Sequence, residues 1–226
     1  MPRFSVISIA RNERDLDNLK SHLSGQRFRD FEFVFSTKGT IPEAWNDAIT
    51  RSKGDFLVFT ESDAWPLQDT WLEEINDRVR ENVVMKGIEI TPADLDMCNL
   101  VCDRRIFDTM RFDERFPVGE DTELFARMRK SGILIERVPG FPVVHKRRES
   151  WQKTVTRACS SGRYAMKIIY LHGRLNVDSV NTRNMNGDPV NPVSNRLRII
   201  VHNVLFLTGL CIGLVQYFPL VFLRKK

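Results

Sequence analysis

The chain has 226 residues, enough for one sizeable domain and short for two. Hydrophobic residues make up 42% and charged residues 28%, an ordinary globular balance. The formal net charge of +5 suits a polyanionic ligand or an anionic membrane surface, and with no groove-binding motif it does not point to nucleic acid. Phe4–Ala10 (FSVISIA) reads as a first strand, too short an apolar run for a signal peptide. Asp15 to Leu23 has helical spacing, with Leu16, Leu19 and Leu23 on one face. Phe31–Phe35 is a second strand and Ser36–Thr40 a polar loop. Pro42 opens a helix whose apolar side is Ala44, Trp45, Ala48 and Ile49. Asp55–Phe59 is a third strand, so strand, helix, strand, helix, strand predicts a parallel sheet with right-handed crossovers.

Farther on, a helix is expected from about Thr70 to Arg80, with Trp71, Leu72, Ile75 and Val79 buried. Val83–Ile90 and Met97–Cys102 read as strands. Gly119-Glu120-Asp121 opens a helix that runs to Lys130, and Ile133–Val138 is a last strand running on to Val143-Val144-His145. A basic helical stretch covers roughly Glu149–His172, and Asn176–Asn195 reads as a linker or loop. The four cysteines form no CxxC pair, which argues against zinc, and nothing argues for a disulfide framework. The run Val204–Leu223 carries no formal charge over 20 residues and is bracketed by Arg196, Arg198 and Arg224-Lys225-Lys226. It has the length of a membrane-crossing helix, and a buried core helix or a segment broken at Pro219 are the other readings. Gly209 and Gly213 have the spacing of close helix contacts.

Ligands of an open α/β sheet bind beyond the carboxyl ends of its strands. Those ends are Ala10-Arg11-Asn12, Ser36-Thr37 and Thr60–Asp63. Glu61 and Asp63 are spaced to offer oxygen ligands to a divalent cation. Free N–H groups at a helix start stabilise an ionised carboxylate, so Asp121 is expected as a poised base. Arg147, Arg148, Lys153, Arg157 and Arg163 follow His145 and are suited to phosphates. Singly, each has a structural reading: Asp63 as a turn cap, Asp121 as an N-cap, His145 as a hydrogen-bonded histidine, the basic run as a solvated face.

Their joint order is more specific. SVISIARNE, FRDFEFVF, EAWNDAITRSKGDFLVF, ESDAWPLQDTWLEE, RRIFDTMRFDERFPVGEDTELFARMRKSG and VPGFPVVHKRRES occur in the order of the family 2 glycosyltransferases, over roughly residues 4–165. The resemblance implies the GT-A fold, a Rossmann-like, mixed and mostly parallel sheet flanked by helices, here with a C-terminal hydrophobic membrane helix. It implies a catalytic domain over 1–172, while composition and charge give a polar linker over 173–195 and a hydrophobic membrane-associated segment over 196–226.

It also implies an inverting, metal-dependent transfer. Asp63 would hold Mg²⁺ or Mn²⁺ on the diphosphate of a nucleotide-sugar, with His145 as a further metal or phosphate contact. Asp121 would be the general base and Glu120 its support. Ala10, Asn12, Glu13, Ser36, Lys38, Asn46, Glu61 and Ser62 would bind the donor. Two positions depart from the family: Glu61 stands where the motif usually has Asp, and Phe35-Ser36-Thr37-Lys38 lacks the acid that usually meets the base. A membrane-associated enzyme with its catalytic domain facing the cytoplasm is expected, acting on a lipid-linked or other glycan acceptor. The alternatives are a polyprenyl- or dolichyl-phosphate glycosyltransferase and a degenerate nucleotide-binding scaffold.

Overall fold

The computed structural model describes residues 1–90, 96–146, 151–173 and 192–217, with backbone alone for 151–154 and 192–200. It divides into two compact units, Met1–Arg147 and Arg148–Lys226.

The first unit is built on a six-stranded sheet. Strands β1 (Phe4–Ile9), β2 (Phe31–Ser36) and β3 (Phe56–Glu61) are parallel, joined through helices α1 (Asp17–Ser24) and α2 (Ile41–Arg51) as the alternating pattern predicts. A short 3-10 turn, Glu13–Leu16, precedes α1. Thr40 and Glu43 form a capping box that starts α2, with Pro42 in its first turn. After β3 come the short strand β4 (Ala64–Pro66) and helix α3 (Trp71–Asn76), which ends sooner than its periodicity predicts. Strands β5 (Val83–Lys86) and β6 (Leu100–Asp103) follow, then the one-turn α4 (Ile106–Thr109), α5 (Glu120–Lys130), β7 (Leu134–Arg137) and β8 (Val143–His145).

The sheet order is β2-β1-β3-β6-β5-β7, with β6 antiparallel to both neighbours and the other pairs parallel. The expected continuous strand from 133 to 145 is two strands in two sheets. Phe141, at φ 39°, turns the chain between them, and β8 leaves the large sheet to pair with β4.

Alternation along the strands sends side chains to two cores. Ile7, Leu57, Phe59, Leu100 and Cys102 pack with Trp45, Phe107, Phe125 and Met128 on one face. Phe4, Val6, Phe56, Val58 and Val101 pack with Leu19, Trp71, Leu72 and Phe141 on the other.

The second unit contains α6 (Trp151–His172) and α7 (Pro192–Tyr217). Pro192–Asn195, read as linker, already belong to α7. The two helices touch closely: a Cβ at Gly209 would collide with the carbonyl oxygen of Cys159, and one at Gly162 with that of Phe206. The Gly209/Gly213 spacing thus serves a contact within the chain. The expected membrane-crossing helix is not supported: among the described residues no helix is long and apolar enough to cross a membrane. The end of the uncharged run, 218–223, lies outside them, as do Arg147, Arg148 and the side chain of Lys153.

Candidate active site

Register sets the floor of the site. Ser36, Ile9 and Glu61 lie in one row across the three parallel strands, so the carboxyl ends of β2, β1 and β3 are side by side. Ala10 N–H donates to the Ser36 carbonyl at 3.0 Å and closes that edge. The chain then turns through Ser62 and Asp63 into β4, and the β4–β8 ladder places Ala64 opposite His145. Lys146 N–H donates to the Asp63 carbonyl at 2.8 Å. Backbone pairing alone therefore brings His145 to the turn that carries the acids.

The side chains converge accordingly. His145 Nε2 lies 3.2 Å from Glu61 Oε2 and 3.3 Å from Asp63 Oδ1. Its Nδ1 donates to Glu89 Oε2 at 2.7 Å. The histidine side chain is 1% exposed, whereas Glu61 and Asp63 are 38% and 45% exposed, so the acids open toward solvent and the imidazole backs them. Burial opposes a charge on His145, but hydrogen bonds to Asp63, Cys98, Glu61 and Glu89 outweigh it and hold its pKa well above the ordinary value.

The donor set Glu61–Asp63–His145 fits a divalent cation. Its ligand atoms lie within 4.8 Å of one another, and its two carboxylates and one imidazole suit Mn²⁺, with Mg²⁺ served by the oxygens. A second group, Glu89–Cys98–His145, is as compact but fits a metal poorly. Burial pushes the Cys98 thiol up to about 11, and Glu89 already pairs with the Lys86 ammonium. Cys98, expected only as a strand residue, therefore packs behind His145 as a neutral thiol.

Asp121 stands at the second position of α5, after Gly119, whose left-handed φ of 78° starts the helix. Glu120 occupies the first position. Thr122 N–H donates to Asp121 Oδ1 at 2.6 Å, the stabilising helix-end contact expected of this position. That contact does not win. Burial, with the Asp96 and Glu61 charges adding to it, pushes the carboxyl up to about 6. Asp121 is thus poised near neutrality rather than held low, and it lies within electrostatic reach of the Glu61 end of the cluster.

The remaining expected donor residues are more dispersed. Asn12 Nδ2 donates to Asp15 at 3.0 Å and Glu13 pairs with Lys20 at 2.6 Å. Both line a cavity of about 610 Å³ with Arg14, Asp17 and Lys20, and none of the clustered acids lines it. Asn46 bonds the Phe112 backbone in both directions at 3.0 Å and also reaches Glu114, so its amide clasps that loop.

Sequence reading missed four residues. Asp47, from α2, accepts from Ser36 Oγ at 2.9 Å and pairs with Lys38 at 3.1 Å, placing a carboxylate at the end of β2 where the strand itself supplies none. Lys86, Glu89 and Asp96 form a buried charge group behind His145. The available signal was a lysine closing the apolar run VVMK, with an acid three residues on.

No protein-family model and no curated protein sequence matches the chain. Solved structures do match its fold. The mannosyltransferase PcManGT from Pyrobaculum calidifontis, solved with GDP-Man and Mn²⁺, is 13% identical with a TM-score of 0.65, over 100% of this chain and 88% of that one. Residues 1–349 of S. aureus TarS are 14% identical with a TM-score of 0.54, over 93% and 81%. Glucosyl-3-phosphoglycerate synthase from Mycobacterium tuberculosis, solved with Mg²⁺ and UDP, is 13% identical with a TM-score of 0.56, over 76% and 80%. The chain shares the fold of these proteins.

Proposed function

We propose that this protein is a metal-dependent, inverting glycosyltransferase that moves a sugar from a nucleotide-sugar to a hydroxyl of a lipid-linked glycan. The observation that carries this reading is the meeting of Glu61, Asp63 and His145 at the carboxyl edge of the sheet, with Asp121 in electrostatic reach. The similar folds include a mannosyltransferase solved with GDP-Man and Mn²⁺. In this reading Asp121 takes the proton of the acceptor hydroxyl as that oxygen attacks the anomeric carbon from the face opposite the leaving diphosphate. Thr122 occupies Oδ1 through its N–H and hydroxyl, which directs Oδ2 to the proton. Glu120 supports the acceptor side. Asp63 and His145, with Glu61 beside them, would hold a divalent ion, which would supply charge neutralisation for the departing nucleoside diphosphate. Ala10, Asn12, Glu13, Ser36, Lys38 and Ser62 form the donor side, with Lys38 toward phosphate.

A membrane setting is supported by charge and exposed apolar surface. Residues 148–226 hold twelve Lys/Arg against three Asp/Glu. Val204, Leu207, Ile212, Leu214 and Val215 of α7 are exposed. These features fit a helix lying on an anionic cytoplasmic surface better than one crossing it. They also favour a second reading, in which the acceptor is a polyprenyl or dolichyl phosphate. That oxygen is already ionised and needs no base.

One experiment separates these readings. Transfer of radiolabelled sugar is measured with wild type and Asp121→Asn, and the lipid products are analysed. Loss of transfer with donor binding retained supports the hydroxyl acceptor. Sugar attached directly to lipid phosphate, at a rate Asp121→Asn leaves alone, supports the second reading. Donor binding without transfer or hydrolysis by wild type overturns both in favour of a binding scaffold.

A further inference from the structure

Lys86 closes β5 and its side chain is 1% exposed. Its Nζ donates to Glu89 Oε1, to Asp96 Oδ1 at 2.6 Å and to the Cys98 carbonyl. A lysine so buried is costly unless its charge is matched, and here two carboxylates match it. Burial opposes the charge, yet Asp96 and Glu89 outweigh it and raise the pKa of Lys86.

One of those carboxylates continues into the site. Glu89, 2% exposed, uses its other oxygen to accept from His145 Nδ1 at 2.7 Å. That bond leaves Nε2 aimed at Glu61 and Asp63. Asp96 meets the other side of the ammonium. Its Oδ1 also accepts from Cys98 N–H at 3.0 Å, which ties it to the strand side of Lys86.

We propose that Lys86 is a positioning residue: its ammonium fixes Glu89 against His145, so that Nε2 faces the Glu61–Asp63 pair. The inference rests on the metal-dependent reading above. Outer partners that orient a ligating histidine typically change metal affinity 10–100-fold when removed. A lysine serving only the fold would, when replaced, cost stability and leave metal affinity unchanged.

The test reads Mn²⁺ binding to the full-length protein by electron paramagnetic resonance, beside steady-state kinetics and thermal unfolding. Lys86→Met strands two buried acids, so the isosteric Glu89→Gln and Asp96→Asn serve as the folded variants. Glu89→Gln is expected to weaken Mn²⁺ binding about tenfold or more. Asp96→Asn, at the other partner of Lys86, is expected to leave the Mn²⁺ dissociation constant within about twofold of wild type. Lys86→Met, where folded, weakens Mn²⁺ binding as Glu89→Gln does. Wild-type Mn²⁺ affinity in Glu89→Gln, or equal weakening in both single variants, overturns the positioning role and leaves the metal site standing. Absence of Mn²⁺ binding by wild type overturns the metal-dependent reading and this inference together.

Discussion

Asp63 Oδ1 and His145 Nε2 lie 3.3 Å apart although their segments are distant in sequence, because β4 and β8 pair with Ala64 opposite His145. Each partner is set by a different contact: Asp63 by the Lys146 N–H on its carbonyl, His145 by Glu89 on its Nδ1. Removing either end therefore tests the same ligand set. Asp63→Ala and His145→Ala are each expected to weaken divalent-ion binding by at least about tenfold. Mn²⁺ titration calorimetry in the presence of a nucleoside diphosphate measures it. Affinity equal to wild type in both variants removes the cluster from metal binding.

Asp121 sets a pH dependence with a definite sign. A general base acts ionised, and this carboxyl is pushed up to about 6. Activity is expected to fall about tenfold per pH unit below that value and to level off above it. A kcat/KM profile that stays flat from pH 7 to 5 counts against the role.

The same carboxyl makes a stability prediction of opposite direction. Its proton is held more tightly in the folded chain than in the unfolded one. Ionisation as pH rises through about 6 therefore costs the fold, and that cost disappears below the ordinary carboxylate range. Asp121→Asn is expected to stabilise the protein at pH 8 by on the order of 1 kcal/mol while abolishing transfer. Urea denaturation at pH 8 and pH 4 provides the comparison, with the gain present only at the higher pH.

Asn99 joins three segments of the first unit. Its amide donates to the Ile88 and Phe141 carbonyls at 3.0 and 2.9 Å, and its oxygen accepts from Trp71 Nε1 at 3.1 Å. Its own φ of 51° is one that asparagine tolerates and most residues resist. Asn99→Ala orphans buried partners and is expected to cost about 2–4 kcal/mol in urea denaturation. A loss under about 0.5 kcal/mol rejects the clamp.

The exposed apolar face of α7 gives a surface prediction. Leu207→Glu with Val215→Glu places two charges on that face, away from Gly209 and Gly213, which pack on α6. Wild type is expected to float with vesicles containing anionic lipid and to release as salt rises, while the double variant remains in solution. Equal flotation of the two proteins rejects this surface.

Much of the architecture was legible in the chain itself. The FSVISIA, FEFVF and FLVF runs, the helices between them and the acids at their ends follow from local periodicity and chain order, so three parallel strands and their carboxyl edge were expected from the sequence, whereas the order β2-β1-β3 was not. Only the tertiary structure decided what meets there. Pairing of β8 with β4 and not with the large sheet is a long-range choice, and it brings His145 to Asp63. Lys86, Glu89 and Asp96 read in sequence as scattered charges, and Asp47 as one more polar position on a helix. Burial makes those charges matter, because away from water each needs its opposite, and no single-residue pattern records which partner the fold will supply. The pKa of Asp121 shows the same division: helix position predicts a lowered value, and desolvation beside Asp96 reverses it.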